Sequence, residues 1–318
     1  MTASEESASI LLRDGPERTR RHGWWWKALL AGIALWIAST IVTASTLNVN
    51  LIPTLILLGS FVVPFSVVLF AAERVNGSFT GSHLMVAFFV SGVLGVLGAS
   101  LLEVHLSQNL FTFLAVGFIE EFVKGVLLFL VGRSLVPKTA RQGALLGAVV
   151  GAGFAAFESA GYAFSAALTG QGIDLQSLLQ TEVIRAVLTP LGHVLWTAVL
   201  GAAIFAASRD GRRYRFTIGV VVAYVVVSVL HGLWDSMGAI GAVVAVLVTG
   251  NRIVPALVYG FVRPGTAAEV SSLSTAFYVV GLAVISLIGL VVLTALVRHH
   301  RRRDVSVLEQ HHRTPLGV

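Results

Sequence analysis

Eight apolar stretches, each long enough to cross a lipid bilayer, constrain this chain more than any other feature. A transmembrane helix needs about 20 predominantly apolar residues to cross a hydrocarbon layer ~30 Å thick. Backbone amides in lipid must be hydrogen-bonded within their own segment, so such stretches fold as helices. The sequence therefore predicts an all-α polytopic membrane protein with about eight spans, at residues 27–47, 51–72, 84–102, 110–132, 143–169, 183–207, 216–237 and 274–297.

The composition excludes a soluble enzyme and a disordered chain. Of the 318 residues, 56% are hydrophobic and only 12% are charged, whereas a soluble domain has roughly 25% charged residues. The absence of cysteine excludes disulfides, thiolate metal sites and a thiol nucleophile. We assign the net charge of +6 to loops that face anionic lipid, because excess Lys and Arg marks the cytoplasmic side. The expected partners thus include the lipid bilayer and no nucleic acid, and the homo-oligomeric state stays open.

Basic clusters set the predicted orientation. They precede the first span, follow the last, and lie between the fourth and fifth and the sixth and seventh spans. Eight spans with both termini in the cytoplasm place all four clusters on the cytoplasmic side, as the positive-inside rule requires. A further apolar stretch at 238–263 is expected to be a re-entrant or interfacial segment, or a weak ninth span. The predicted domains are an N-terminal tail (1–26), a transmembrane domain (27–297, with its catalytic core at about 110–237) and a basic C-terminal tail (298–318).

Charged and imidazole side chains inside the predicted spans are the candidates for function. A charge at the centre of a transmembrane helix costs about 2.5–3.5 kcal/mol, so such residues are functional by default. At 1.5 Å per residue, Glu120, Glu158, His193 and His231 all lie roughly 9–17 Å below the outer surface, which predicts one shared, water-filled cavity. Arg185 lies nearest the outer end of its span, where we expect a snorkelling arginine or a residue of the cavity entrance. The full set is Glu120, Glu121, Lys124, Glu158, Arg185, His193, His231 and Asp235.

Helical spacing predicts two pairings within this set. Lys124 follows Glu120 by four residues and Glu121 by three, so its ammonium can pair with either carboxylate. Asp235 follows His231 by four residues and can accept a proton from one imidazole nitrogen.

Small residues predict close helix packing. Gly143, Gly147 and Gly151 repeat at four-residue spacing in the fifth span, and such spacing lets transmembrane backbones approach closely. We expect packing within the chain, with a dimerisation face as the alternative.

Four consecutive spans carry polar motifs in a fixed order. The motifs are Glu120-Glu121-x-x-Lys124, Phe154-x-x-x-Glu158-x-x-x-Tyr162, His193 and His231-x-x-Trp234-Asp235. The ordered set, over about residues 117–237, resembles the PrsW family of intramembrane proteases. It is also similar to the wider superfamily of CAAX prenyl endopeptidases and bacteriocin-processing proteins, whose motifs read EExxxR, FxxxH and HxxxN/D. This chain departs from the wider pattern at two positions. Lys124 replaces the usual arginine and comes one residue earlier, and Glu158 stands where histidine is usual.

The resemblance implies an enzyme of the cell membrane. PrsW proteins act in site-1 cleavage of membrane-bound anti-sigma factors, so the implied substrate is a single-span membrane protein cut near the extracytoplasmic side. The implied catalytic residues are Glu120, Glu121, Lys124, Glu158, His193, His231 and Asp235.

Two chemical schemes for peptide hydrolysis fit these residues. In the first, Glu158, His193 and His231 bind a divalent metal, most naturally Zn²⁺, and leave one position open for water. Either Glu120 or Glu121 is then the general base.

The second scheme needs no metal. Glu120 activates the water directly with the help of a histidine, and His231 with Asp235 or Lys124 holds the oxyanion. This is the scheme that the resemblance to the CAAX proteases implies. The sequence leaves both schemes open.

Two other classes of membrane protein stay as alternatives. A proton-coupled transporter or channel would distribute its polar residues along a path through the membrane, whereas here they concentrate in the outer half. A non-catalytic scaffold of the same superfamily would not need the Glu120–Glu121 pair and both histidines.

Overall fold

The computed structural model describes residues 23–75, 77–107, 109, 111–170, 172–250 and 264–313, and these are almost entirely helical. A short 3-10 turn, Val49–Leu51, precedes the second helix, and two-residue strands β1 (Leu168–Thr169) and β2 (Gly172–Ile173) form an antiparallel hairpin. The helices are α1 (Trp24–Thr46), α2 (Ile52–Ala72), α3 (Gly81–Glu103), α4 (Thr112–Gly132), α5 (Ala140–Ala167), α6 (Leu175–Leu188), α7 (His193–Ala206), α8 (Ile218–Thr249), α9 (Pro264–His299) and α10 (Arg301–Arg313).

The helices confirm a polytopic all-α membrane protein. Seven candidate spans in the described residues are long and apolar enough to cross a bilayer: α1, α2 with its preceding turn, α3, α5, α6 and α7 together, α8 and α9. Helix α4 has 21 residues, as many as α2, but it carries Glu120, Glu121 and Lys124. Its charges distinguish α4 from the seven apolar spans.

Several connections meet at one end of the helix bundle. The backbone N–H of Trp24 donates to Glu73 Oε1 at 2.7 Å, which joins the start of α1 to the end of α2. The Ser208 hydroxyl donates to the carbonyl of Lys138 at 3.1 Å, and Arg303 of α10 donates to the carbonyl of Ser208. We call this the basic end, defined by Glu73, Lys138, Ser208 and Arg303. Helices α1 and α9 therefore begin and end, respectively, on the same side.

The sixth predicted span is not one continuous helix. Residues 183–207 were expected to form a single helix, but α6 ends before a 3-10 turn at Thr189–Leu191 and α7 begins after Gly192. Pro190 explains the break, because its ring clashes with the backbone carbonyl of the preceding helical turn and it has no N–H to donate. His193 consequently lies at the first position of α7, at the break within this span, instead of inside a continuous helix.

The expected separate segment at 238–263 is also corrected. Helix α8 continues without interruption from Ile218 to Thr249, so residues 238–249 extend the seventh span. These residues are small or apolar and contain no proline, so nothing stops the helix until Gly250, which has a φ of 46°. The part at 251–263 lies outside the described residues.

The chain beyond the seventh span also contains more helix than expected. Helix α9 begins at Pro264, ten residues before the predicted start at 274. Within the predicted C-terminal tail, residues 301–313 form α10.

Helix α5 packs directly on α7 through the glycine stripe. A Cβ atom at Gly143, Gly147 or Gly151 would lie only 2.2–2.3 Å from a backbone carbonyl oxygen of α7. At Gly151 that oxygen belongs to His193. The expectation of packing within the chain is confirmed, and this contact fixes the start of α7 beside α5.

Helices α4 and α8 approach each other in the same way. A Cβ on Gly117 would lie 2.5 Å from the carbonyl oxygen of Ser228, and one on Gly232 would lie 2.7 Å from the backbone of α4. Two side-chain-free surfaces therefore meet, and the contact brings Glu121 of α4 against His231 of α8.

Candidate active site

Three charged side chains of α4 form a buried cluster. Lys124 Nζ donates to Glu120 Oε2 at 3.0 Å and to Glu121 Oε1 at 2.8 Å. Lys124 and Glu121 have no exposed surface, and the ammonium lies 4.2 Å from the centre of the Phe154 ring. The predicted pairing of Lys124 is confirmed with both carboxylates. One ammonium thus balances part of the charge of two buried carboxylates.

His231 is held in a fixed orientation by its neighbours. Its Nδ1–H donates to Glu121 Oε1 at 3.0 Å, and the ring of Trp196 stacks on the imidazole with centroids 4.5 Å apart. The other nitrogen, Nε2, lies 3.4 Å from Asp235 Oδ2 and 3.6 Å from Glu120 Oε2. The predicted contact of His231 with Asp235 is present, and Glu121 is a second carboxylate on the same ring.

His193 joins α7 to both carboxylate groups. Its Nδ1 lies 2.9 Å from Lys124 Nζ and 3.8 Å from Glu120 Oε2. Because an ammonium only donates, Nδ1 is the acceptor, and Nε2–H donates to Glu158 Oε2 at 3.0 Å. The centre of the ring lies 5.0 Å from that of His231. Both histidines therefore lie beside Glu120.

Arg185 belongs to the site and does not snorkel at its margin. Its guanidinium donates to the carboxylate of Glu158, and its Nε donates to Ser159 Oγ at 2.8 Å. It also lies over the ring of Tyr162, 4.3 Å from the centroid. The reason for the difference is the helix start: α6 begins at Leu175, eight residues before the predicted start of that span. Arg185 therefore lies about ten residues into its helix.

A cavity of about 430 Å³ opens beside these groups. Four carboxylates line it, including Glu103, which the sequence assigned to a connection and not to the site. Glu103 is the last residue of α3, so the cavity reaches the end of the bundle opposite the basic end. Glu121, Lys124 and His231 lie behind its wall. The polar and aromatic lining residues are Ser100, Glu103, Phe113, Glu120, Phe154, Glu158, Tyr162, Arg185, His193, Trp234 and Asp235.

One group of side chains in the described part of the chain has the donors for a metal ion. The ligand atoms of Glu120, His193 and His231 all lie within 4.8 Å of one another. One carboxylate with two imidazoles is a donor set that suits zinc and leaves a position for water, so the residues fit such an ion. The sequence named Glu158 as the carboxylate of this set, whereas the structure places Glu120 with the two histidines. Lys124 Nζ is within hydrogen-bond distance of two of the three groups.

A family model matches most of the chain. The model of the PrsW family intramembrane metalloproteases matches residues 22–263, a range that contains every predicted site residue and confirms the resemblance. No curated protein and no solved structure matches the chain. The match favours a hydrolase over a transporter or a non-catalytic scaffold. The chain belongs to the PrsW family of intramembrane metalloproteases and is a multi-pass membrane enzyme that hydrolyses peptide bonds.

Proposed function

We propose that this enzyme is an endopeptidase that cuts single-span membrane proteins near the extracytoplasmic side, in the manner of site-1 cleavage of an anti-sigma factor. The observation that carries the proposal is the Glu120–His193–His231 group at the wall of a 430 Å³ cavity among membrane helices. The cavity extends to Glu103, at the end opposite the basic end. A substrate segment that leaves the bilayer at that end can therefore reach the carboxylates.

The proposed function also requires a defined orientation of the protein in the membrane. We infer that α4 is an eighth span, since it packs against α8 through Gly117 and has the same 21 residues as the span α2. With eight crossings, the start of α1 and the end of α9 lie on the same side, that of the basic end. The excess of arginine and lysine there supports a cytoplasmic location, which puts the cavity on the outer half of the membrane.

Hydrolysis of a peptide bond needs an activated water, a stabilised oxyanion and a proton for the leaving amine. A divalent cation, for which zinc is the natural choice, would supply Lewis-acid polarisation and water activation when held by Glu120, His193 and His231. The protein itself sets the geometry: Glu121 orients His231, and Glu158 fixes His193.

Two further cavity residues have assigned roles in this scheme. Asp235 lines the cavity 3.4 Å from His231 Nε2 and is placed to exchange a proton with the water or with the leaving amine in the cavity. Arg185 neutralises Glu158 and so holds the carboxylate that positions His193.

A second scheme for the same activity rests on Lys124. Its ammonium already lies 3.0 Å from Glu120 Oε2 and 2.9 Å from His193 Nδ1, so a positive charge is built into the site. In that scheme Glu120 takes the proton of the water directly, and Lys124 or the His231–Asp235 pair stabilises the oxyanion.

The proposed activity can be tested on whole membranes, in which every membrane protein is a potential substrate. Membranes from cells that express the wild type, Glu120→Gln or Glu309→Gln are compared by labelling and sequencing new protein N-termini. Glu309 is an exposed carboxylate of α10 and serves as the matched control. We expect new termini at the outer edge of single spans with the wild type and the control, and none with Glu120→Gln. The same termini in Glu120→Gln membranes, at equal expression, would contradict the proposal.

A further inference from the structure

A second cavity, of about 290 Å³, lies at the basic end, far from the catalytic residues. It is bounded by the end of α2, the start of α5, the end of α9 and α10. No residue of the peptidase site lines it. Four arginines do, namely Arg74, Arg141, Arg298 and Arg301.

Arg74 pairs with Glu73 at 3.6 Å, whereas the positive charge of the other three arginines is largely uncompensated. The one carboxylate of the cavity, Asp304, accepts hydrogen bonds from the backbone N–H groups of Ala140 at 3.1 Å and Arg141 at 3.4 Å, and so covers the start of α5. Within the described ranges, no carboxylate oxygen lies within 4 Å of the side chains of Arg141, Arg298 or Arg301. Among the residues that the structure describes, these three guanidinium groups therefore face the cavity without an ion-pair partner.

The chemistry of the lining indicates a phosphate group with an apolar part. A guanidinium presents a planar fork of donors that matches phosphate oxygens, and several together form a strong anion site. Beside the arginines, Val297, Val305 and Leu308 make one wall apolar. A free inorganic phosphate gains nothing from such a wall, whereas an amphiphile does.

The position of the cavity favours a lipid as the amphiphile. It lies where the membrane helices α2 and α9 end, at the depth where phospholipid headgroups meet a protein. Basic pockets between transmembrane helices on the cytoplasmic side are typical sites for anionic headgroups. We propose that the cavity binds the phosphate headgroup of an anionic phospholipid, with α10 closing over it.

Binding is tested on the full-length protein in detergent. The probes are short-chain phosphatidylglycerol, short-chain phosphatidylcholine and inorganic phosphate, and the readout is the thermal midpoint as a function of probe concentration. The cavity variant is Arg298→Gln/Arg301→Gln. The control is Arg212→Gln/Arg302→Gln, which removes the same charge from exposed positions at the same end but outside the cavity.

We expect phosphatidylglycerol to raise the midpoint of the wild type and of the control alike. The cavity variant should need a phosphatidylglycerol concentration at least roughly tenfold higher for the same rise in thermal midpoint. Phosphatidylcholine should have a much smaller effect on all three proteins. An equal response of the two double variants would overturn the proposal, because any surface charge would then suffice. A full rise with inorganic phosphate alone would overturn the assignment to lipid. A variant that expresses poorly is replaced by Arg141→Gln, with Arg209→Gln as its control.

Discussion

The Nδ1–H of His231 donates to the carboxylate of Glu121 at 3.0 Å, and this contact directs Nε2 towards Glu120 and Asp235. Glu120 and Glu121 are adjacent in the chain, but a helix turns by about 100° between them. Glu120 lines the cavity, whereas Glu121 is fully buried behind it. The two carboxylates therefore have different roles, one at the reacting groups and one in the support of an imidazole.

Replacement of Glu121 by glutamine should slow cleavage by roughly 10- to 100-fold, the usual cost of removing a partner that orients a ligand histidine. The amide keeps the shape of the side chain but loses the charge that holds the Nδ1 proton and pairs with Lys124. The measurement is the initial rate on a substrate identified by terminal labelling, with the thermal midpoint as a check on folding. Glu120→Gln should show no detectable cleavage. An unchanged rate for Glu121→Gln would contradict the role of Glu121 in orienting His231.

Metal analysis of the purified protein separates the two schemes. We expect about one zinc per chain, lost in His193→Ala and in His231→Ala, because each substitution removes one of three donors. His105 is exposed and lies outside the cavity, so His105→Ala should keep its metal. If the wild type holds no metal and cleaves at full rate in chelator, the scheme with Lys124 as the only cation is favoured.

The Arg185–Glu158 pair should show strong energetic coupling. Arg185→Gln leaves the Glu158 carboxylate without its guanidinium, so the position of His193 loosens and cleavage should fall by about tenfold or more. Both residues act through one contact. The double variant Arg185→Gln/Glu158→Gln should therefore raise the activation free energy for cleavage by much less than the sum of the two single variants. Arg209, which pairs with Asp210 at the surface, supplies the control, and Arg209→Gln should be neutral. Additive effects at Arg185 and Glu158 would contradict the coupling.

The glycine stripe should tolerate no added methyl group. A Cβ at Gly147 would lie 2.2 Å from the carbonyl oxygen of Thr197, so Gly147→Ala must push α5 and α7 apart. Overpacking of this kind costs roughly 1–3 kcal/mol, which a lowered thermal midpoint will report. Gly161 lies on the same helix with nothing near its Cβ position, so Gly161→Ala should be neutral or slightly stabilising.

Lys138 should make stability depend on alkaline pH. Burial lowers the pKa of its ammonium from 10.5 to about 8. Between these values the unfolded chain holds one more proton than the folded one, so stability should rise as the pH increases from 8 to 10.5. The test compares thermal midpoints of the wild type and Lys138→Met across this interval. The thermal midpoint of the wild type should rise relative to that of the variant as the pH increases. A difference that stays constant with pH would contradict the lowered pKa of Lys138.

The chemistry-bearing residues were predictable because charges in lipid are rare and costly. Glu120, Glu158, His193 and His231 were found as polar residues inside predicted spans at a shared depth, and the structure brings them around one centre. The choice between Glu120 and Glu158 as the partner of both histidines was not predictable, since it depends on how α4 and α5 rotate against α7. Sequence periodicity does not fix that rotation.

Errors in the predicted helix boundaries caused the other differences between the expected and the observed site. Arg185 was predicted near the outer end of its span because the start of α6 was set too late. A capping signal was nevertheless present, since the carboxylate of Asp174 accepts a hydrogen bond from the N–H of Ser177. Pro190 likewise marks the end of α6. Glu103 gave no such signal, since the last residue of a span is usually solvated and only the tertiary packing places it in the cavity.

Lys124 also bears on how the protein is made. In the proposed eight-span arrangement, the acidic pair of α4 enters lipid during biosynthesis, before α8 and its histidine have been translated. An ammonium one helical turn away travels with the pair, so the segment arrives with much of its charge already matched. Lys124 should therefore lower the free-energy cost of inserting this helix, although one ammonium matches the charge of only one of the two carboxylates.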